Sequence, residues 1–325
     1  MDESTRSRIL GELEDIRINF PAYNQAHSKL LNAIEDTYVT HKPYGALLCG
    51  WTGAGKTSLC MLIKARYMAT YEEVTDSEAR RCRPVMYFVI PSEVTVKGLA
   101  RALLLKLGVE KPVGSGEEMT AQAIRMLKEQ RVELVFLDEI QWLCIGAAEK
   151  IRVHTLGWIA SFVNNLEKPV IISGTQECVD ITSYLDAFAS RFPYQANLEY
   201  FTFTGDMRSD YSIMLQNLDQ AIQELTKLPN EAHLHDPSIT AALFVATSGS
   251  LGWLKKILNV ALRRCLIRDD AKGLTRVDFA YACDELTLKQ SLTKANPFAF
   301  NLADSLRIIE SPESKEKLES YRLMP

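Results

Sequence analysis

Apolar positions along the chain follow two periods. Ala26, Leu30, Ala33, Ile34 and Thr37 recur at helical spacing, and Pro43 ends that helix ahead of "YGALLCG", an unbroken apolar run of strand type. "PVMYFVI" (84–90), "VELVFLD" (132–138) and "KPVIISGT" (168–175) are runs of the same kind, and "LEYFTF" (198–203) predicts a last strand. Between them, "TSLCMLIKARYMATY", 96–107, 117–130 and 151–166 carry helical periodicity, and the Pro and Gly content of "VEKPVGSGEE" marks it as a loop. Strands that are apolar throughout and alternate with helices predict an α/β fold, a parallel sheet of five strands covered on both faces.

After Gly205 the strand signal stops. Segments 206–225, 237–247, 251–268 and 276–288 read as helices, which predicts a small all-α region. From Ser291 onward Pro, Ser and charges mix without sustained periodicity, the pattern of a flexible tail. The expected division is an N-terminal helical extension (1–43), an α/β domain (44–204), a helical lid (205–290) and the tail (291–325), with no internal repeat.

Composition narrows the class. With 325 residues, 47% hydrophobic and 24% charged, the chain can bury one large core and a smaller one. No apolar run approaches the roughly 20 residues of a membrane helix, and "MDESTRSRILGELEDIRINF" lacks a basic leader followed by an apolar block, so a cytoplasmic protein with no membrane partner is expected. The seven cysteines are widely spaced inside apolar runs and read as reduced core residues. The five histidines show no metal-ligand spacing. A net charge of -4 excludes a protein that coats nucleic acid by bulk charge, so any DNA contact must come from a local patch.

The chemistry begins at "GWTGAGKTS". Gly50, Gly55, Lys56 and Thr57 satisfy G-x-x-x-x-G-K-[ST] between a predicted strand and a predicted helix, the setting a phosphate-binding loop requires. Backbone N–H groups along Gly50, Trp51, Thr52, Gly53, Ala54, Gly55 and Ser58 would meet phosphate oxygens, helped by the N-terminus of the following helix. Lys56 would neutralise the β- and γ-phosphates, and the Thr57 hydroxyl would bind Mg²⁺. Asp138, ending the second buried strand, would complete the metal site, and Glu139 stands where a carboxylate can activate the attacking water. The intervening strand and the lack of N-K-x-D favour ATP over GTP, and the acidic pair suits an ATPase. In "AFASRFPY", Arg191 lies beyond the third buried strand. It can serve as an arginine finger to a neighbouring subunit's γ-phosphate or sit in an ordinary surface ion pair.

The order "GWTGAGKT", "LVFLDE", "VIISGT", "ASRF" and a helical lid resembles an AAA+ P-loop ATPase. Within that superfamily, "LDEIQWL" and "TSGSLGWLKKILNVALRRCL" make it similar to the TnsC/TniB regulators of DNA transposition, including those of CRISPR-associated transposons. The resemblance spans about 24–288. It implies that Thr175 senses the γ-phosphate with Ser173 beside it, and that Arg191 acts in trans. Many such lids carry an arginine where this chain has Gly252; Lys255 and Lys256 are the nearest substitutes for a nucleotide contact, or simply part of a solvated helix face. The resemblance further implies a homo-oligomeric ring or filament on double-stranded DNA without sequence specificity, partnered by a TniQ-type target selector and a transposase and reset by hydrolysis. A replication initiator, a helicase loader and a nucleotide-gated scaffold with negligible turnover are the alternatives.

For the DNA surface, Lys97 and Arg101 lie one helical turn apart, with Lys106 and Lys111 further on and Ser115 in the "PVGSG" loop. The same residues fit a solvated helix face, and the resemblance favours the DNA reading. A second basic run, Lys255 to Arg268, ranks lower because a lid helix must also pack.

Overall fold

The computed structural model describes residues 2–16, 20–74, 79–92, 95–145, 148–229, 231–268 and 271–323. In chain order the elements are α1 (Glu3–Asp15), α2 (Pro21–Thr40), β1 (Gly45–Gly50), α3 (Lys56–Lys64), β2 (Tyr71–Val74), β3 (Ala79–Cys82), β4 (Val85–Val89), α4 (Val96–Leu107), α5 (Gly116–Glu129) and β5 (Leu134–Asp138). There follow α6 (Glu149–Leu166), β6 (Val170–Ser173), α7 (Asp186–Ala189), β7 (Tyr194–Leu198), α8 (Asp210–Thr226), α9 (Pro237–Thr247), α10 (Leu251–Ile267), α11 (Arg276–Glu285), α12 (Leu302–Glu310) and α13 (Pro312–Leu323). They group into two compact units, one of residues 25–51 and 56–198, the other of residues up to 24, 52–55 and 199 onward. No helix among the described residues is long and apolar enough to cross a membrane.

The first unit is built on a parallel sheet in the order β4-β5-β6-β1-β7. Every residue of β1, β5 and β6 is buried, which is why these strands read as continuous apolar runs. The edge strand β7 alternates instead, with Ala196 and Leu198 inward and Gln195 and Asn197 outward. One core joins Leu47, Met86, Leu103, Leu137, Ile159 and Phe162 across sheet and helices, each worth about 1.5–3 kcal/mol on burial. Trp158 stacks on Phe162 and donates its indole N–H to Thr120 Oγ1 at 2.9 Å. An antiparallel pair, β2 with β3, was not anticipated by the sequence pattern; its charged, short strands carry no apolar alternation.

The second unit contains the expected helices α8 to α11 and more. Ile9 and Leu13 of α1 are buried, and α1 lies on α10 and α8. "LEYFTF" is not a strand. Only Leu198 belongs to β7, while Phe201 packs on Phe20 and Tyr211, and Phe203 on Phe244, in the core of the helical unit. Its apolar period answered a helical neighbour, not a sheet.

The predicted flexible tail is also corrected. Leu302–Glu310 and Pro312–Leu323 are helices, and α12 lies on α9. Asn301 caps α12 by accepting the Asp304 N–H at 2.9 Å, and Pro312 opens α13 at the position where its missing N–H costs nothing. Phe298 stacks on Phe279 with centroids 5.4 Å apart, and Arg276 donates to the carbonyls of Phe298 (3.0 Å) and Phe300 (2.6 Å), fixing the approach to these helices.

Candidate functional site

The site is assembled at the carboxyl ends of β1, β5 and β6, where open parallel sheets place their ligands. Gly50 turns the chain out of β1 at φ 155°, and a Cβ there would stand 2.3 Å from the Leu198 carbonyl oxygen. The loop that follows therefore needs glycine at this position. The Trp51 N–H donates to Leu198 O at 3.3 Å. Within the helical unit, Thr52 O accepts from Tyr200 Oη at 2.8 Å, Ala54 is buried, and Gly53 O accepts the Gly252 N–H at 2.7 Å. Lys56, Thr57 and Ser58 form the first turn of α3, with Thr57 and Ser58 exposed.

Lys56 Nζ folds back on its own loop, donating to Gly50 O at 2.7 Å and Trp51 O at 3.0 Å. Burial lowers its pKa from the ordinary lysine value, while the Asp138 and Glu139 carboxylates work in the opposite direction. Asp138 is 7% exposed and accepts three hydrogen bonds. Its Oδ1 accepts the Glu139 N–H at 2.9 Å and the Ser173 hydroxyl at 2.5 Å, and its Oδ2 accepts the Tyr87 phenol. Burial first, and then the Asp138 hydrogen bond, raise the pKa of Tyr87. Tyr87 thus holds Asp138, which with Thr57 is expected to hold a metal. Their hard oxygen donors fit Mg²⁺.

Glu139 adopts φ 67°, ψ 36°, a left-handed conformation that a residue with a Cβ adopts at a cost. Gln141 sets the carboxylate, donating from Nε2 to Glu139 Oε2 at 2.5 Å while its Oε1 accepts the Thr175 N–H at 3.2 Å. Thr175 directs its hydroxyl to the Glu177 carboxylate. One buried amide therefore bridges the ends of β5 and β6. Tyr87, Gln141 and Glu177 escaped the sequence reading; only Gln141, two residues after Glu139, gave a local signal.

The structure places other expected residues elsewhere. Arg191 O accepts the Gly45 N–H at 2.6 Å, at the amino end of β1. From Gly45 to Gly50 an extended strand covers about 16 Å, so the guanidinium is out of reach of its own phosphate loop. Lys255 is not aimed at that loop: its Nζ donates to Glu14 O at 2.8 Å and Ile16 O at 3.5 Å, closing the carboxyl end of α1. Gly252 stands in close backbone contact, and a Cβ on it would lie 2.9 Å from Gly53 Cα. The missing lid arginine is thus replaced by a glycine that the contact requires.

Lys97 and Arg101 are exposed one turn apart on α4. Gly116 sits against Lys97, close enough that a Cβ on it would lie 3.5 Å from Lys97 Cα, so α4 and the start of α5 bring Lys97 and Ser115 together although they are far apart in sequence. Ser115 is the N-cap of α5: its hydroxyl accepts the Glu118 N–H at 3.2 Å and its own N–H donates to Glu118 at 2.8 Å. The Ser115 backbone N–H is thereby satisfied within the cap and is not offered to a phosphate. A cavity of about 1100 Å³ opens beside Lys97 and Ser115 and includes Glu117, Lys150, His154 and Thr155.

A parallel sheet whose loop-bearing strand is separated from the acidic strand by one other strand, with a helical unit built largely from the residues after the sheet, defines an AAA+ P-loop fold. The solved structures agree: Aeropyrum pernix ORC1 in complex with DNA (TM-score 0.53, 17% identity, 83% of this chain and 66% of that one), Cdc6p from Pyrobaculum aerophilum (0.55, 14%, 88% and 71%) and Aeropyrum pernix ORC2 (0.51, 14%, 82% and 68%) are similar in fold. This chain spans just under two thirds of the length of the first. The chain belongs to the TniB family of TnsC-like AAA+ transposition proteins, the family described as bacterial TniB protein matching residues 8–201. No curated protein matches it.

Proposed function

We propose that the chain is an ATP- and Mg²⁺-dependent DNA-binding regulator of transposition that assembles on double-stranded DNA when ATP is bound and resets by hydrolysis. The observation that carries this reading is the split of the machinery: Lys56, Asp138, Glu139 and Thr175 gather at one end of the sheet, while Arg191 lies about 16 Å away at the other. Such a division suits an oligomer in which each site is completed by a neighbour's arginine.

In the proposed reaction Lys56 leaves the Gly50 and Trp51 carbonyls for the β- and γ-phosphates. Glu139, held by Gln141, takes the proton of the attacking water as its oxygen bonds to the γ-phosphorus. The bond from phosphorus to the β,γ-bridging oxygen breaks, releasing ADP and phosphate. Thr57 and Asp138 would hold Mg²⁺, which when bound would neutralise charge on the phosphates. Thr175 reports the γ-phosphate to Glu139 through Gln141, and Arg191 of the next subunit stabilises the transition state.

Lys97 and Arg101 contact the DNA backbone, so binding is independent of base sequence. A TniQ-type target selector and a transposase bind the assembly, with targeting by an RNA-guided complex or by a DNA-binding protein. The family match favours transposition over replication initiation. Anisotropy of a labelled random-sequence duplex with ATP, ADP or a non-hydrolysable analogue tests the reading. Binding and assembly restricted to the ATP-like states support it, and nucleotide binding without either at low salt refutes it.

A further inference from the structure

The connection from α8 to α9 holds a cluster that the nucleotide site does not use. Asp219 of α8 is 3% exposed, and a carboxylate at that depth is tolerated only when its oxygens are engaged. Its Oδ1 accepts the Leu234 N–H at 3.0 Å, and its Oδ2 accepts the Gln223 side chain at 3.0 Å. The same Oδ2 lies 2.8 Å from His233 Nδ1 and 3.9 Å from His235 Nδ1. His235 Nδ1 is buried and has no hydrogen-bond partner among the described residues. The three ligand atoms lie within 4.8 Å of one another.

We propose that Asp219, His233 and His235 form a site for a divalent transition-metal cation, Zn²⁺ by ligand chemistry. Two imidazole nitrogens and one carboxylate are a zinc donor set, whereas Mg²⁺ selects oxygen ligands. On a tetrahedral ion with bonds of roughly 2.0–2.1 Å, neighbouring ligand atoms stand about 3.3 Å apart, and the observed 2.8 and 3.9 Å fall on either side of that value. The carboxylate is already oriented by Leu234 and Gln223, the outer contacts that metal-bound carboxylates carry. Side-chain exposures of 41% for His233 and 37% for His235 give the ion a route in and leave a coordination position for water. The bound ion would clasp α8 to the segment leading into α9, tightening the helical unit. The sequence hid this because Asp219 is fourteen residues from His233.

The test uses the full chain, stripped with chelator and placed in excess Mg²⁺, then titrated with Zn²⁺ by calorimetry and with Co²⁺ by visible absorption. One equivalent of Zn²⁺ per chain, a tetrahedral Co²⁺ spectrum and a rise in Tm on loading are expected. His235→Gln and His233→Gln should each weaken binding at least tenfold and remove the Tm rise, and Gln223→Ala should weaken it by about 10–100-fold through the outer contact. Cys144→Ser, which removes the partly buried thiol, should leave binding unchanged. Absence of binding in excess Mg²⁺, or the same affinity and Tm rise in both histidine variants, overturns the proposal; the metal-free Tm of each variant shows that it is folded.

Discussion

Gly252→Ala distinguishes a required glycine from a merely vacated sensor position. Gly252 lies at the start of α10 with φ outside the left-handed region, so alanine meets no backbone strain there. Helix propensity alone would stabilise the variant by about 0.5–1 kcal/mol. Against this, the added Cβ would stand 2.9 Å from Gly53 Cα and 3.3 Å from Gly53 O, and both neighbours are backbone that cannot rotate aside. Overpacking of this kind costs about 1–3 kcal/mol. The shift also lengthens the 2.7 Å hydrogen bond to Gly53 O, worth about 1 kcal/mol. The balance is a net loss of about 1–3 kcal/mol. Urea unfolding followed by tryptophan fluorescence should show a lower midpoint with an unchanged slope. A midpoint equal to or above wild type would refute the contact. Gly252→Arg, which restores the residue many lids carry, should be at least as destabilised and gain no hydrolysis.

Two further predictions concern a basic helix face and a reactive thiol. Lys97→Ala and Arg101→Ala should each weaken DNA binding about equally on all sequences and lower the salt slope by about 1, measured by anisotropy across salt concentrations; an unchanged slope removes them from the DNA surface. The Cys178 thiol 3.5 Å away, and then the Arg152 guanidinium, lower the Cys144 pKa, whereas burial pushes Cys49, Cys60 and Cys283 up to about 12. Since the thiolate is the nucleophile, iodoacetamide should modify Cys144 first, with the half-maximal rate below the pH of a free cysteine; peptide mapping that finds another cysteine modified first contradicts this.

Much of the α/β unit was legible because β1, β5 and β6 are buried on both faces, and such strands leave continuous apolar runs ending in the residues that carry the chemistry, Gly50, Asp138 and Ser173. The misreadings have local causes. Phe201 and Phe203 supply apolar alternation to a helical core, and α12 is too short for a periodicity window, although Ser305 and Ile309 form its buried side. The support of the site was invisible because it is made across the fold: Tyr87 reaches Asp138 from another strand, and Gln141 joins two strand ends. Lys255 looked available for a nucleotide because nothing in its neighbourhood announced that the carbonyls of Glu14 and Ile16 would claim it.

The central claim is that each hydrolytic site is shared between subunits, with Glu139 from one and Arg191 from the next. The direct measurement is ATP hydrolysis on DNA by Glu139→Gln, by Arg191→Ala and by their equimolar mixture. Each variant alone should be nearly inactive. In the mixture a site is complete when an Arg191→Ala subunit, with Glu139 intact, meets a Glu139→Gln subunit supplying Arg191, so activity should recover to about a quarter of wild type. A mixture no more active than its components, or Arg191→Ala at full activity alone, would contradict the shared site.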